Sequence, residues 1–449
     1  MDLHRRKILG ATMKREDDDE KDMFCGSRKL DPIPLDLKIF SFPARFGIKP
    51  HQKKRKERDG NDSEVDEKKG TSQSCKLPLI PLDVEAEILS RLPVKSLMKF
   101  RCVSKMWSSI IRSQRFVDSY YALSSATRSR FTIAFGNGLF IKGDGMPYRF
   151  ISSSSHEGEE SSSLVANLDM KIPSVRFDIG SNCPSVHGFL SYCSRHRLTI
   201  CNPSTGQVFT FPCKGPHTSL GYDPVDGQFK ALTLVSAIDD QLDSGYLVHE
   251  VIRLGGEGRL SRNEVTSPLY YPVTSGLCIN GCLYYGAWAP RWRSNPVVVC
   301  FDVRSERLSL IKAPKDVVVS HSNSIFIEYK GKLASFGRRT WSFSRFDLWI
   351  LEDVMTHDWS KQTFELPLTL VNMTSPGTNK AGEIIFAPKE LSCKVQPFYI
   401  FYYNVERKSI RRVRIHGIGD DQGFRHRYGF GKACCVSMSP QHVESIASL

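Results

Sequence analysis

The residues that could carry covalent chemistry fall into no working arrangement. The chain holds twelve histidines and thirteen cysteines in 449 residues. No two cysteines form C-x-x-C, and no His/Cys grouping has metal-ligand spacing. A G-x-S-x-G elbow, a phosphate loop ending in Gly-Lys-Ser/Thr and an H-E-x-x-H helix are all missing. Gly136-Asn137-Gly138 and Gly143-Asp144-Gly145 lack the strand-to-helix setting of a phosphate turn and read as hairpin turns. His196 and His426 each sit between arginines, as on an exposed face. The expectation is a chain without catalytic residues, metal or cofactor. The adjacent thiols Cys434 and Cys435 are the one arrangement suited to a redox switch.

What remains is chemistry of contact. LYYGAWAPRW carries Tyr284, Tyr285, Trp288 and Trp292 with Arg291 and Arg293 interleaved, the residue types that dominate interaction hot spots. Tyr284 and Tyr285 are expected in a core. Trp288, Arg291, Trp292 and Arg293 either pack between sheets or form part of a target-binding loop. A second concentration runs from Val405 to Lys432, with eight Lys/Arg against three Asp/Glu. Alternation in RRVRI places Arg412 and Arg414 on one strand face and Val413 and Ile415 on the other. That reads as a solvated outer strand, or as a patch for an acidic target or nucleic acid.

The elements that must position these residues change character along the chain. Residues 1–74 read as a disordered charged tail, with 18 basic and 15 acidic residues in blocks. Its run KKRKER, Lys53 to Arg58, is a solvated charge run or a nuclear-import signal. No apolar stretch reaches 18 residues and no secretory core opens the chain. Reduced thiols in the nucleus or cytoplasm are therefore expected. The net charge of +14 permits an anionic partner without requiring one.

Residues 75–122 form a compact helical segment. Pro81 and Asp83 suit a helix start, Val84, Ile88 and Leu92 follow at i, i+4 and i+8 with Leu89 beside them, and Leu92-Pro93 stops the helix. Leu97, Met98 and Phe100 supply the inner face of a second helix. Ser104 caps a third, with Trp107, Ile110 and Ile111 at helical spacing. Three short helices bury little surface alone, so they must pack on a domain or a partner. The order IPLD…EILSRLP…KSL…FRCVSK.W resembles a plant-type F-box from Ile80 to about Phe116. The resemblance implies docking onto the Skp-type adaptor of a cullin-containing ubiquitin ligase. Carried over position by position, it implicates Pro81, Val84, Ile88, Leu89, Leu92, Pro93, Leu97, Val103, Trp107 and Ile110. Glu85 and Ala86 depart from the family pattern, which is apolar there, and a Glu on a docking face would weaken the contact.

From Phe131 the texture becomes short β-rich runs broken by Gly, Pro, Asn and Asp. An apolar run, an Asn or Asp, a turn and a second run recur at Asn202, Asp302, Asp353 and Asn404, separated by 100, 51 and 51 residues. Further copies are due near 252 and 152. Gly281, Gly331 and Gly382 mark a second turn in the same register. A fifty-residue period with several strands per unit implies a kelch-like β-propeller of about six blades over 130–440, closed by a strand from GFRHRYGFGKACCVSM with its alternating aromatics. The fold class is thus mainly β with a small helical N-terminal module.

This half is similar to the F-box-associated (type 3) domain, through CNPSTGQVFTFP, GYDPVDGQFKAL, GLCINGCLYYGAW and YKGKLASFG among other runs. Arg253 and Ser261 depart from it, where that family tends to show Thr and Trp. The two resemblances together imply the substrate-recognition subunit of a Skp–cullin–F-box ubiquitin ligase. It would present a target protein for ubiquitination and proteasomal degradation, without catalysing the transfer. The alternatives are a binding module acting outside a ligase and a basic nuclear nucleic-acid binder. The target is not legible, because loops vary freely on one scaffold.

Overall fold

A computed structural model describes residues 80–136, 148–155, 162–173, 184–194, 196–215, 217–235, 245–255, 260–289, 295–319, 324–338, 344–370, 373–392, 394–429 and 434–449. The tail, the basic run 53–58, the two Gly-Asn/Asp-Gly turns after Gly136, and Arg291, Trp292 and Arg293 lie outside them.

The helical segment forms as expected and then continues. α1 (Leu82–Ser90) follows Pro81, with Asp83 and Glu85 in its first turn where the helix dipole favours acid. Pro93 stands ahead of α2 (Val94–Phe100). Ser104 accepts from Met106 N to cap α3 (Lys105–Arg112). Ser113 likewise caps a fourth helix, α4 (Gln114–Thr127), which buries Phe116, Val117, Tyr120 and Ser124 against the others. Tyr120 Oη and the Arg128 guanidinium both donate to Leu92 O at 3.1 Å, tying α4 to the end of α1.

The wide apolar stripe of α1 is split between core and surface. Glu85 and Leu89 point inward with Leu92 half-buried, whereas Val84 and Ile88 are 41% and 51% exposed. Both halves are apolar enough to serve, and packing decides between them. Leu89 joins Val94, Leu97, Ile111, Phe116 and Tyr120 in one cluster. Glu85 can enter it because Trp107 Nε1 donates to its carboxylate at 3.1 Å. The cluster is completed from far along the chain by Ile446, also buried.

The rest is a six-bladed β-propeller. Blades two to six follow chain order, starting at Ser185, Thr218, Tyr271, Ser324 and Met373 and ending at Pro212, Pro268, Lys312, Glu365 and His416. The first blade is composite. Ser129–Gly136, Tyr148–Ser155 and Asn167–Pro173 take Cys434–Val443 as their innermost strand, which closes the ring. Closure comes from the stretch expected to supply it. Its aromatic part, however, is a helix, α5 (Gln422–Tyr428), capped by Asp421 and stopped by Gly429 at φ 72°. A second exchange runs the other way. Ser163–Val165, between two strands of the first blade, pairs in parallel with the outer edge of the sixth. This second exchange joins blades across hundreds of residues, so it leaves no local pattern in the sequence.

The recurring anchors have one physical cause. Asn202, Asp302, Asp353 and Asn404 each end a blade's third strand, and each side-chain oxygen accepts a backbone N–H two or three residues on. Four residues after each anchor the backbone turns left-handed, at Gly206, Glu306, His357 and Lys408. The spacing persists because this turn needs its Asn or Asp. The copies due near 252 and 152 are strand pairs in the third and first blades. The second set of glycines lies in the first-to-second-strand turns, with Gly281 and Gly331 at φ 81° and 78° behind Asn280 and Lys330, also at positive φ. His187-Gly188 is a further member, not recognised in the sequence because its first strand has only two residues. Cys434 and Cys435 are consecutive in a strand and so face opposite sides, Cys434 into the core. That geometry keeps the two thiols from pairing.

Glu306 joins the third and fourth blades. Its carboxylate receives Lys230 Nζ at 2.9 Å, Arg253 Nε at 2.8 Å and Asn263 Nδ2 at 3.0 Å. Arg253, which departs from the family's Thr, thus has a specific role in blade contact. Burial alone would raise the Glu306 carboxyl, but these bonds outweigh it and hold the group at about 2. A depressed carboxyl contributes stability above its unfolded pKa and loses it as pH falls through the folded value. The stability gap between wild type and Glu306→Gln should therefore be greatest and flat above pH 5. It should close as the pH approaches 2. Denaturant melts across that window measure it.

Candidate functional site

Six of the sixteen exposed large apolar side chains among the described residues fall within 27 consecutive positions: Ile80, Leu82, Val84, Ile88, Val103 and Met106. They lie on or just ahead of α1 and α3, a local density of exposed apolar side chains. The ten residues carried over from the resemblance divide between two tasks. Pro81, Val84, Ile88, Pro93 and Val103 are exposed. Leu89 and Leu97 are buried, and Leu92, Trp107 and Ile110 are half-buried in the module's own core. Ile80, Leu82 and Met106 join the face without having been singled out in the sequence. Their signal was only that apolar residues flank the helix starts. The departing Glu85 faces inward to Trp107, so its carboxylate is off the exposed face.

The ring has two chemically distinct ends. Antiparallel pairing puts each blade's first-to-second and third-to-fourth turns at one end. Second-to-third and blade-to-blade connections lie at the other. α4 occupies the tight-turn end. Tyr121 stacks on His187 with centroids 3.5 Å apart, and His187 stacks on Tyr222 at 3.8 Å. Burial lowers His187 to about 4, so the stack holds a neutral imidazole at pH 7. Lys380, in the first turn of the sixth blade, donates to the carbonyls of Ser125 and Ala126 at the negative end of α4.

The aromatic candidates lie at the opposite end. Trp288 ends the second strand of the fourth blade, half-buried and paired with Tyr271, which is 47% exposed. Tyr246, 46% exposed, starts the third strand of the neighbouring blade at the same end. Neither tyrosine stood out in the sequence, because each is isolated there. Tyr284 and Tyr285 are core residues, and the Tyr285 and Tyr270 hydroxyls bond each other.

The basic strand Ser409–His416 is largely engaged within the molecule. Arg411 pairs with Glu383 at 2.9 Å, Arg412 lies over Tyr399, and Arg414 approaches Asp420 at 3.8 Å. Val413 and Ile415 face the core as their alternation required.

Residues 77–119 match the F-box domain family, and residues 138–443 match the F-box associated beta propeller domain. F-box protein At1g30790 of Arabidopsis thaliana is 52% identical over 394 residues, 82% of this chain and 98% of that protein. F-box protein DOR of the same plant is 36% identical, over 76% of this chain and 89% of its own. Among solved structures, the beta-propeller domain of the Trilobed protease from Pyrococcus furiosus aligns at 14% identity. It covers 50% of this chain and 66% of that one, with a TM-score of 0.29. Helical module, ring and sequence likeness agree: the chain belongs to the plant F-box proteins that carry an F-box-associated propeller domain.

Proposed function

We propose that this chain is the substrate-recognition subunit of a Skp–cullin–F-box type ubiquitin ligase. One observation carries the reading: α4 fixes the helical module to the tight-turn end of the ring, so the long-connection end lies away from it. The apolar face of α1 and α3 docks a Skp-type adaptor, and through it a cullin. The opposite end, with Trp288, Tyr271 and Tyr246, receives a target protein.

The mechanism is positional. A target held on one end of a rigid body, whose other end is attached to the ligase, meets the charged conjugating enzyme at high effective concentration. The Tyr121–His187–Tyr222 stack supplies stiffness at the joint. No step of this mechanism requires a covalent intermediate on the chain. The engaged arginines of Ser409–His416 do not favour a nucleic-acid reading.

Tagged full-length chain expressed in plant cells should co-purify with both adaptor and cullin in stoichiometric amounts. Recovery of adaptor without cullin would replace the ligase with a module acting outside it. Recovery of neither would overturn docking altogether.

A further inference from the structure

Above α4 the ring encloses a channel of about 1020 Å³. Asp118 and Tyr121 of α4 line one end, and the exposed residues Lys389 and Glu390 line the other. The helix therefore lines one end of the channel, and the channel reaches solvent at the long-connection end. Its lining runs against the charge of the chain. Three carboxylates, Asp118, Glu328 and Glu390, face one ammonium, Lys389, in a protein of net charge +14.

Glu328 is the unusual member. It comes from the innermost strand of the fifth blade, and its charge acts on the Tyr121 hydroxyl at the α4 end and on the Cys278 thiol. Among the described residues its carboxylate has no hydrogen-bond or ion-pair partner, and burial raises its pKa. Asp118, by contrast, accepts from Gln114 at 2.8 Å. A half-buried carboxylate without a partner costs stability. Tyr121 and Tyr222 also line the channel. A carboxylate without a partner in a partly dehydrated cavity is a receptor for positive charge, through a charge-assisted bond.

We propose that the channel binds an organic cation, an aliphatic ammonium held by Glu328 near the Tyr121 hydroxyl. A free amine and the lysine side chain of a target segment share this chemistry. The site lies between the ring and α4, apart from the exposed apolar residues of α1 and α3, so loss of amine binding in a Glu328 variant and loss of adaptor docking in a Val84/Ile88 variant are separate outcomes.

The test titrates full-length protein by calorimetry with 1,5-diaminopentane, with the capped peptide acetyl-Gly-Lys-Gly-amide and with uncharged 1,5-pentanediol. At least one amine should bind tenfold or more tighter than the diol, and Glu328→Gln should weaken it at least tenfold. The unliganded variant should melt no lower than wild type, because it loses an unpaired carboxylate. Tighter binding of the peptide would identify a target-borne lysine, and tighter binding of the diamine a free amine. Should Glu328→Gln fail to fold, Glu328→Asp, which withdraws the carboxylate by one methylene, must also weaken the amine. Equal binding of the diol, no binding of either amine, or amine binding indifferent to these substitutions would overturn the proposal.

Discussion

Val84→Asp combined with Ile88→Asp should abolish capture of a Skp-type adaptor while leaving the chain folded. Both side chains are about half exposed and lie on the α1 face turned away from the module's core. Their substitution removes little from the free protein, so the melting temperature should move by no more than a degree or two. In a complex, the same positions would lose two apolar contacts and force two carboxylates out of water. Together these cost more than about 3 kcal/mol, over a hundredfold in dissociation constant. Calorimetric titration with purified adaptor, alongside a thermal melt, reads both quantities. Retention of affinity within tenfold would show that the adaptor docks elsewhere. Leu89 and Leu92, equally prominent in the sequence, would make poor tools. Leu89 is 2% exposed and Leu92 half-buried, so their loss disrupts the module itself.

Ile446→Asp should melt the helical module and leave the ring standing. Ile446 packs with Leu89, Leu97, Ile111 and Tyr120. Its segment is fastened to the second blade by Asn202, which is fully buried and whose Nδ2 donates to Ser445 O at 2.9 Å and Ala447 O at 3.3 Å. Gly188 lies so close that a Cβ there would fall 2.3 Å from that of Ser445. Loss of a buried Ile side chain costs about 2–5 kcal/mol, and an unpaired carboxylate in its place adds several more. A module of some 45 residues has little stability to spare. Hydrogen exchange should show α1 to α3 losing protection, with the central strands of the blades unchanged. Adaptor binding should fall with it, whereas Ile446→Val should cost less than about 1.5 kcal/mol and preserve both. Unchanged protection in Ile446→Asp would mean that the helices stand without this contact.

The legible and illegible parts of this fold separate by the range of the interactions that cause them. The anchors Asn202, Asp302, Asp353 and Asn404 were visible because each makes its own turn from its own side chain. Ser104 was readable as a cap for the same reason. The parallel strand Ser163–Val165 and Ile446 depend on partners hundreds of residues away, and periodicity carries no trace of a partner. The sequence left Val84/Ile88 and Leu89/Leu92 together in one apolar stripe of α1. Only the packing of α3 and α4 shows which turns inward. Glu85 was expected to burden the docking face and instead completes the core through Trp107. On the target side, Trp288 was recognisable by residue type, but Tyr246, Tyr271 and Glu328 have meaning only through the ring that gathers them.

The placement of Ile446 also sets a clock. The helices that would meet the adaptor are made early, yet one of their packing residues follows Phe116 by 330 positions. At about 5–20 residues per second, roughly 15 to 65 s of translation separate the two. During that interval the helices exist as sequence without a finished core. On the proposed function, recruitment to the adaptor would thereby be coupled to synthesis of the whole ring. A chain interrupted within the blades would then compete poorly for adaptor against one whose ring is already built.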